Sequence, residues 1–219
     1  MYNLKFNPMS YKTFNERMES RRILIWNAAD DNQIQQRLQN YGYTAEKFNE
    51  GKTLWQQTDQ LGKQQAKEQN EQTAATDAFN EARNTAEDKL KRAKKLARIA
   101  FDGNNAAYNA LNLKEINIVR FEDWLNDAEK FYANLLGNTQ WTEAMQTYGY
   151  TTDQQEVNNL KSLQQAQLRE MGEAQQATKD KWEHDSQLKK WCSHLSEIAK
   201  IEFEDDAQLL EKLGILVRS

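Results

Sequence analysis

The chain holds one proline, one cysteine, two histidines and three valines among 219 residues, and each scarcity excludes something. The proline is Pro8, near the N-terminus. From Met9 onward no residue has a locked φ or a missing amide donor, so no proline breaks a helix. Cys192 is alone, which rules out an intrachain disulfide and a cysteine-based metal cage. With so few valines, the β-branched alternation that marks strands is absent. The longest purely aliphatic or aromatic run is Ile23-Leu-Ile-Trp26, far short of the ~20 apolar residues a membrane span needs. The first residues, Met1-Tyr-Asn-Leu-Lys-Phe-Asn-Pro8, lack the apolar core of a signal peptide. A cytoplasmic protein is expected.

What is abundant is Ala, Gln, Glu, Lys and Leu, all good helix formers. Only 38% of the chain is hydrophobic, against about 45–50% in an ordinary globular domain. Disorder is the alternative for so polar a chain. Six Trp, eight Tyr and eight Phe argue against it, because disordered segments are poor in aromatics. The net charge of −4 provides no general attraction to nucleic acid. The charge is unevenly spread: residues 1–110 sum to +3 and residues 111–219 to −7. Such asymmetry suits two halves that face each other or a partner.

Self-similarity is the strongest signal. Tyr41-Gly-Tyr-Thr44 recurs as Tyr148-Gly-Tyr-Thr151, with Ile34 and Leu38 falling where Trp141 and Met145 fall, at an offset of 107. Glu71-Gln-Thr-Ala-Ala-Thr76 recurs as Glu173-Ala-Gln-Gln-Ala-Thr178 at 102, as does Leu96-Ala-Arg-Ile-Ala-Phe-Asp102 at Ile198-Ala-Lys-Ile-Glu-Phe-Glu204. Two blocks in the same order, separated by one indel, indicate two tandem units, 1–113 and 114–219. The link Asn112–Val119 is short and partly apolar, which implies that the units pack together.

Each unit reads as the same series. An amphipathic helix covers about 11–41 and 120–148; in the second, Phe121, Trp124, Leu125, Ala128, Phe131, Tyr132 and Leu135 recur at helical spacing. Gly42 and Gly149 suit the positive φ of a helix C-cap. Thr44 and Thr151 suit the next N-cap, with Glu46 and Asp153 in the first turn. A long polar helix follows, about 44–82 and 151–183. Breaks are expected near Asn80–Asn84 and Asp180–Ser186, then a third helix over about 85–102 and 187–204, whose stripe includes Leu188, Trp191, Cys192, Leu195 and Ile198. Short helices over about 106–111 and 206–213 close the units. The expected fold class is all-α: two tandem pseudo-repeated helical units forming an elongated, up-and-down antiparallel bundle.

The motifs Tyr148-Gly-Tyr-Thr151, Gly172-Glu-Ala-Gln-Gln-Ala-Thr178, Ile198-Ala-Lys-Ile201 and Leu209-Leu-Glu-Lys-Leu-Gly-Ile215 resemble those of uncharacterised bacterial proteins made of duplicated helical units. That resemblance implies the fold and transfers no functional residue. The first unit has Asn70 where the second has Gly172, so a close helix approach at that glycine need not recur.

The chemistries fail one by one. A di-iron bundle needs two Glu-x-x-His motifs, and His184 and His194 follow Lys181 and Trp191 at that spacing. Cys192 follows Trp191 on an apolar stripe, where a buried thiol acts as a small hydrophobe. No glycine-rich phosphate loop is present. No catalytic residue, metal ligand or cofactor is therefore assigned. The sharpest charge feature is Lys89-Leu-Lys-Arg-Ala-Lys-Lys-Leu-Ala-Arg98. Lys91, Lys94, Lys95 and Arg98 project within about 100° of arc, as a strip for anions or an acidic partner, or as a solvated face. The second unit has Ser193, Ser196, Glu197 and Lys200 there. Trp55 and Trp182 lie in polar surroundings and are candidate interface anchors. The leading reading is a non-enzymatic structural or interaction protein whose partner is another protein or a second copy. The alternatives are a small-molecule or cofactor-binding bundle, a possible enzyme, with a pocket at the junction of the repeats, and a binder of anionic polymers.

Overall fold

The computed structural model describes residues 12–114, 120–151 and 154–216. Pro8, residues 115–119 of the link, and Asp153 lie outside the described residues. Within them the chain is all-α and has no strand. The helices are α1 (Phe14–Asp30), α2 (Asn32–Gln39), α3 (Ala45–Ala100), α4 (Asn105–Ala110), α5 (Phe121–Leu136), α6 (Thr139–Gln146), α7 (Gln154–Glu202) and α8 (Ala207–Lys212). No helix among the described residues is long and apolar enough to cross a membrane.

The breaks fall elsewhere than expected. The helix expected over 11–41 divides at Asp31, whose backbone is extended (φ −85°, ψ 111°) and whose carboxylate accepts from the amides of Gln33 and Ile34. The helix expected over 120–148 divides at Asn138 for the same reason, its side-chain oxygen accepting from Trp141 N. Each is a short polar side chain that satisfies amides the helix start leaves unpaired. Conversely, no break occurs at 80–84 or 180–186: α3 runs for 56 residues and α7 for 49. Neither region contains a proline or glycine. Phe79 is buried, Arg83 pairs with Glu87 one turn on, and Asp185 is buried in an ion pair.

The corner that begins α3 works as its sequence predicts. Gly42 has φ +82°, and Tyr43 N donates to Leu38 O at 3.2 Å. Thr44 Oγ1 then accepts from Lys47 N. Before α7, Gly149 has φ +75° and Tyr150 N donates to Met145 O at 3.2 Å. This bond from the residue after the left-handed glycine back to the last turn satisfies a carbonyl that the helix end leaves open.

Two compact units result. One holds residues up to Glu68 together with those from Ala174 onward; the other holds Gln69–Glu173. This division follows contact, whereas the expected units 1–113 and 114–219 follow chain order. Each helix starts in one unit and ends in the other, and the two pack antiparallel. In the first unit Met18, Ile25, Ile34, Leu38 and Phe48 pack with Leu188, Trp191, Leu195, Phe203 and Leu209. In the second, Leu90, Ala97, Phe101 and Leu111 pack with Phe131, Tyr132, Leu135, Met145 and Leu160.

The glycines inside the long helices have opposite settings. A Cβ at Gly51 would stand 2.5 Å from Cη2 of Trp191, so that indole lies directly on the α3 backbone. A Cβ at Gly172 meets nothing within 4 Å, so the close helix approach considered there is absent. Gly51→Ala therefore lowers stability by about 1–3 kcal/mol through overpacking. Gly172→Ala raises it by up to about 1 kcal/mol through helix propensity alone. Urea unfolding of both variants reads the two opposite signs.

Candidate functional site

The cationic strip on α3 is divided by its surroundings. Lys94 turns inward: Nζ donates to Asp127 Oδ2 at 2.6 Å and to Asn112 O at 3.2 Å. Asn112 Nδ2 donates to the other Asp127 oxygen at 2.6 Å. Arg98 Nε donates to Leu113 O at 2.8 Å. Asp127 is buried on the apolar face of α5, and the Lys94 side chain is 12% exposed. Lys91 lies 3.8–3.9 Å from Asp88 and Glu87. Lys91 and Lys95 remain exposed, and so does Arg92. The four strip cations thus do not form one solvated face. Asp127 went unnoticed in the sequence, although a carboxylate between Trp124 and Phe131 on an apolar stripe is the signal of a buried ion pair.

The first unit has its own buried pair. Arg21 Nη1 meets Asp185 Oδ1 at 2.5 Å, with side-chain exposures of 9% and 8%. Arg17 approaches the same carboxylate at 4.0 Å. Trp55 is committed internally: Nε1 donates to Met18 O at 2.8 Å, and the ring meets Trp26 edge to face at 5.4 Å. Trp182 stays 52% exposed, with Lys181 and Arg17 5.1 and 6.0 Å from its ring. His184 Nδ1 lies 3.0 Å from Asp180 O in its own helix, and His194 is exposed. Cys192 is buried, and burial pushes its thiol up to about 12. A neutral, buried thiol is a poor nucleophile.

Clefts open within each unit. In the second, Lys89, Arg92 and Leu96 border a cleft of about 280 Å³ at the Gly149–Thr151 corner. In the first, Gln57, Gln60 and Gln64 face Asp180 and His184 across about 300 Å³. Also in the first, a cleft of about 320 Å³ lies between α1, the last turns of α7 and the segment after α8. Ser20 and Arg21 come from α1, Ser196 and Lys200 from α7, and Leu213, Gly214 and Ile215 from the closing segment. Gly214 has φ +71°, and Ile215 N donates to Leu210 O at 3.0 Å, so this wall is a left-handed helix end. Hydroxyls, cations and aliphatic carbons meet here.

No protein-family model, curated protein or solved structure matches the chain.

Asp127→Ala leaves Lys94 buried without its carboxylate, and a loss of about 3 kcal/mol is expected in urea unfolding. Adding Lys94→Met should restore most of it. If the single variant stays within ~0.5 kcal/mol of wild type, Lys94 finds water on its own.

The thiol makes a separate prediction for alkaline pH. An unfolded cysteine ionises near pH 8.5, whereas the folded Cys192 keeps its proton to about 12. Unfolding then releases a proton, so the wild-type stability falls as pH rises through that window. Cys192→Ala lacks this contribution. The stability difference between the two proteins, measured at about pH 8 and again at about pH 10, should narrow or change sign in favour of Cys192→Ala.

Proposed function

We propose that this chain is a non-enzymatic helical interaction protein, built from two copies of one unit, that docks another protein. One observation carries the reading. Exposed apolar residues recur at matched positions in the two copies. Tyr41 and Tyr148, at the offset of 107, are 43% and 49% exposed. Ile99 and Ile201, at the offset of 102, are 60% and 65% exposed.

The surroundings of these residues have diverged. The cations Lys91, Lys94 and Lys95 correspond to Ser193, Ser196 and Glu197. An isoleucine this exposed contributes little packing to its own unit, and a polar residue would serve the helix nearly as well. Its recurrence, while neighbouring positions change class, supports a contact outside the chain. The Glu202 carboxylate near Tyr41 raises the phenol's pKa above its usual range. Tyrosine is enriched at interface hot spots.

The duplication also supports a reading of the exchanged units. The first combines α1, α2 and the start of α3 with the end of α7 and α8. The second combines α5, α6 and the start of α7 with the end of α3 and α4. Each unit thereby takes its opening helices from one copy and its closing helices from the other.

The test uses the full chain and the double variant Ile99→Asp, Ile201→Asp. Light scattering over a wide concentration range, with chemical cross-linking in extracts of the source cell, reads self-association and hetero-complexes. The wild type should form one or the other, and the variant should lose it while its helicity and melting temperature stay unchanged. A wild type that is monomeric throughout and cross-links to the same proteins as the variant would overturn the reading.

A further inference from the structure

The first-unit cleft has a counterpart in the second unit that explains why it is open; this step rests on the duplication proposed above. The offset of 107 carries Ser20 to Asp127, and the offset of 102 carries Ser196 to Lys94, Lys200 to Arg98 and Gly214 to Asn112. In the second unit, Asp127, Lys94 and Asn112 bond to one another, and Arg98 reaches Leu113 O, the equivalent of Ile215. Those side chains fill the angle between the opening helix, the long helix and the left-handed corner. In the first unit two become serines and one becomes glycine, while the backbone corner persists: Asn112 has φ +48° and Gly214 has φ +71°. The framework is kept and its polar filling removed, which leaves about 320 Å³ between Ser20, Arg21, Ser196, Lys200, Gly214 and Ile215.

What remains in the cleft is arranged for an anion. Among the described residues, Ser196 and Lys200 meet no hydrogen-bond or ion-pair partner. Ser20 Oγ donates to Glu16 O at 2.9 Å and accepts from Lys12 Nζ at 3.1 Å. Arg21 is fixed by Asp185, but that carboxylate is shared with Arg17, so the local charge stays positive. A guanidinium held rigidly by one carboxylate keeps N–H groups in a planar fork for a second anion. Leu24, Leu213, Ile215 and Leu216 form the apolar side, and Leu216 is 94% exposed.

We propose that this cleft binds a small amphiphilic carboxylate. The head group lies among Ser196, Lys200 and Arg21, and the hydrocarbon lies against Leu24, Leu213 and Ile215. The chemistry is recognition only, with no bond made or broken.

The experiment titrates the full chain with octanoate, octanol and inorganic phosphate by calorimetry. Octanoate should saturate one site per chain, with octanol and phosphate each at least tenfold weaker because each lacks one half of the ligand. Lys200→Glu, at an exposed position, should weaken octanoate at least tenfold without changing the melting temperature. The double variant Ser20→Asp, Ser196→Lys rebuilds the pair found at Asp127 and Lys94, and should abolish binding while the protein stays folded. Absent saturation, equal binding of octanol, or unchanged binding by Lys200→Glu overturns the proposal. None of these variants touches Ile99 or Ile201, so this proposal and the docking reading can fail separately.

Discussion

The continuity of α3 and α7 is the constraint on which everything else depends. No residue in either helix lacks an amide donor, and their interior glycines, such as Gly51 and Gly172, keep helical geometry. A helix that meets no breaker continues for as long as one face finds something to pack against. The midsections are polar, and from Asp59 to Ala78 α3 buries no apolar side chain. The apolar residues cluster toward the two ends of each helix. Separate cores then form at those ends, and the compact units join the start of one long helix with the finish of the other.

Two buried ion pairs make those associations specific. A charge taken out of water is tolerated only beside its partner, so a misaligned pairing would strand it. Arg21 on α1 must find Asp185 on α7, which lies more than 160 residues away in the chain. Lys94 on α3 must find Asp127 on α5. Apolar contacts alone would allow the helices to slide by a turn. The ion pairs penalise that slip, and Trp191 seated on Gly51 penalises it sterically.

On the proposed duplication, divergence at the same positions would turn a structural network into a ligand site. In the second unit a lysine, an aspartate and an asparagine satisfy one another. Replacing such a group with small residues removes the charges together, so no buried ion is left unpaired. The cost is packing volume, and that volume opens as a cleft.

Much of the local structure was legible in the sequence. The glycine corners, the threonine cap at Thr44, the apolar stripe of α5 and the burial of Cys192 follow from short-range rules: backbone sterics, amide satisfaction and helical period. The capping breaks at Asp31 and Asn138 are equally local and could have been read. The continuity of α3 past Asn80–Asn84 could not be read with the same ease, because weak helix formers such as Asn are tolerated wherever the flanking turns are packed. Composition likewise marked Lys91, Lys94, Lys95 and Arg98 as one strip. Only the tertiary structure decided that two of them point inward, since that depends on Asp127 arriving from another helix. The sequence by itself determined that the chain is helical and where its corners turn. Which helix ends share a core, and which cations remain outside it, depend on contacts between segments far apart in the chain, and no local rule carries that information.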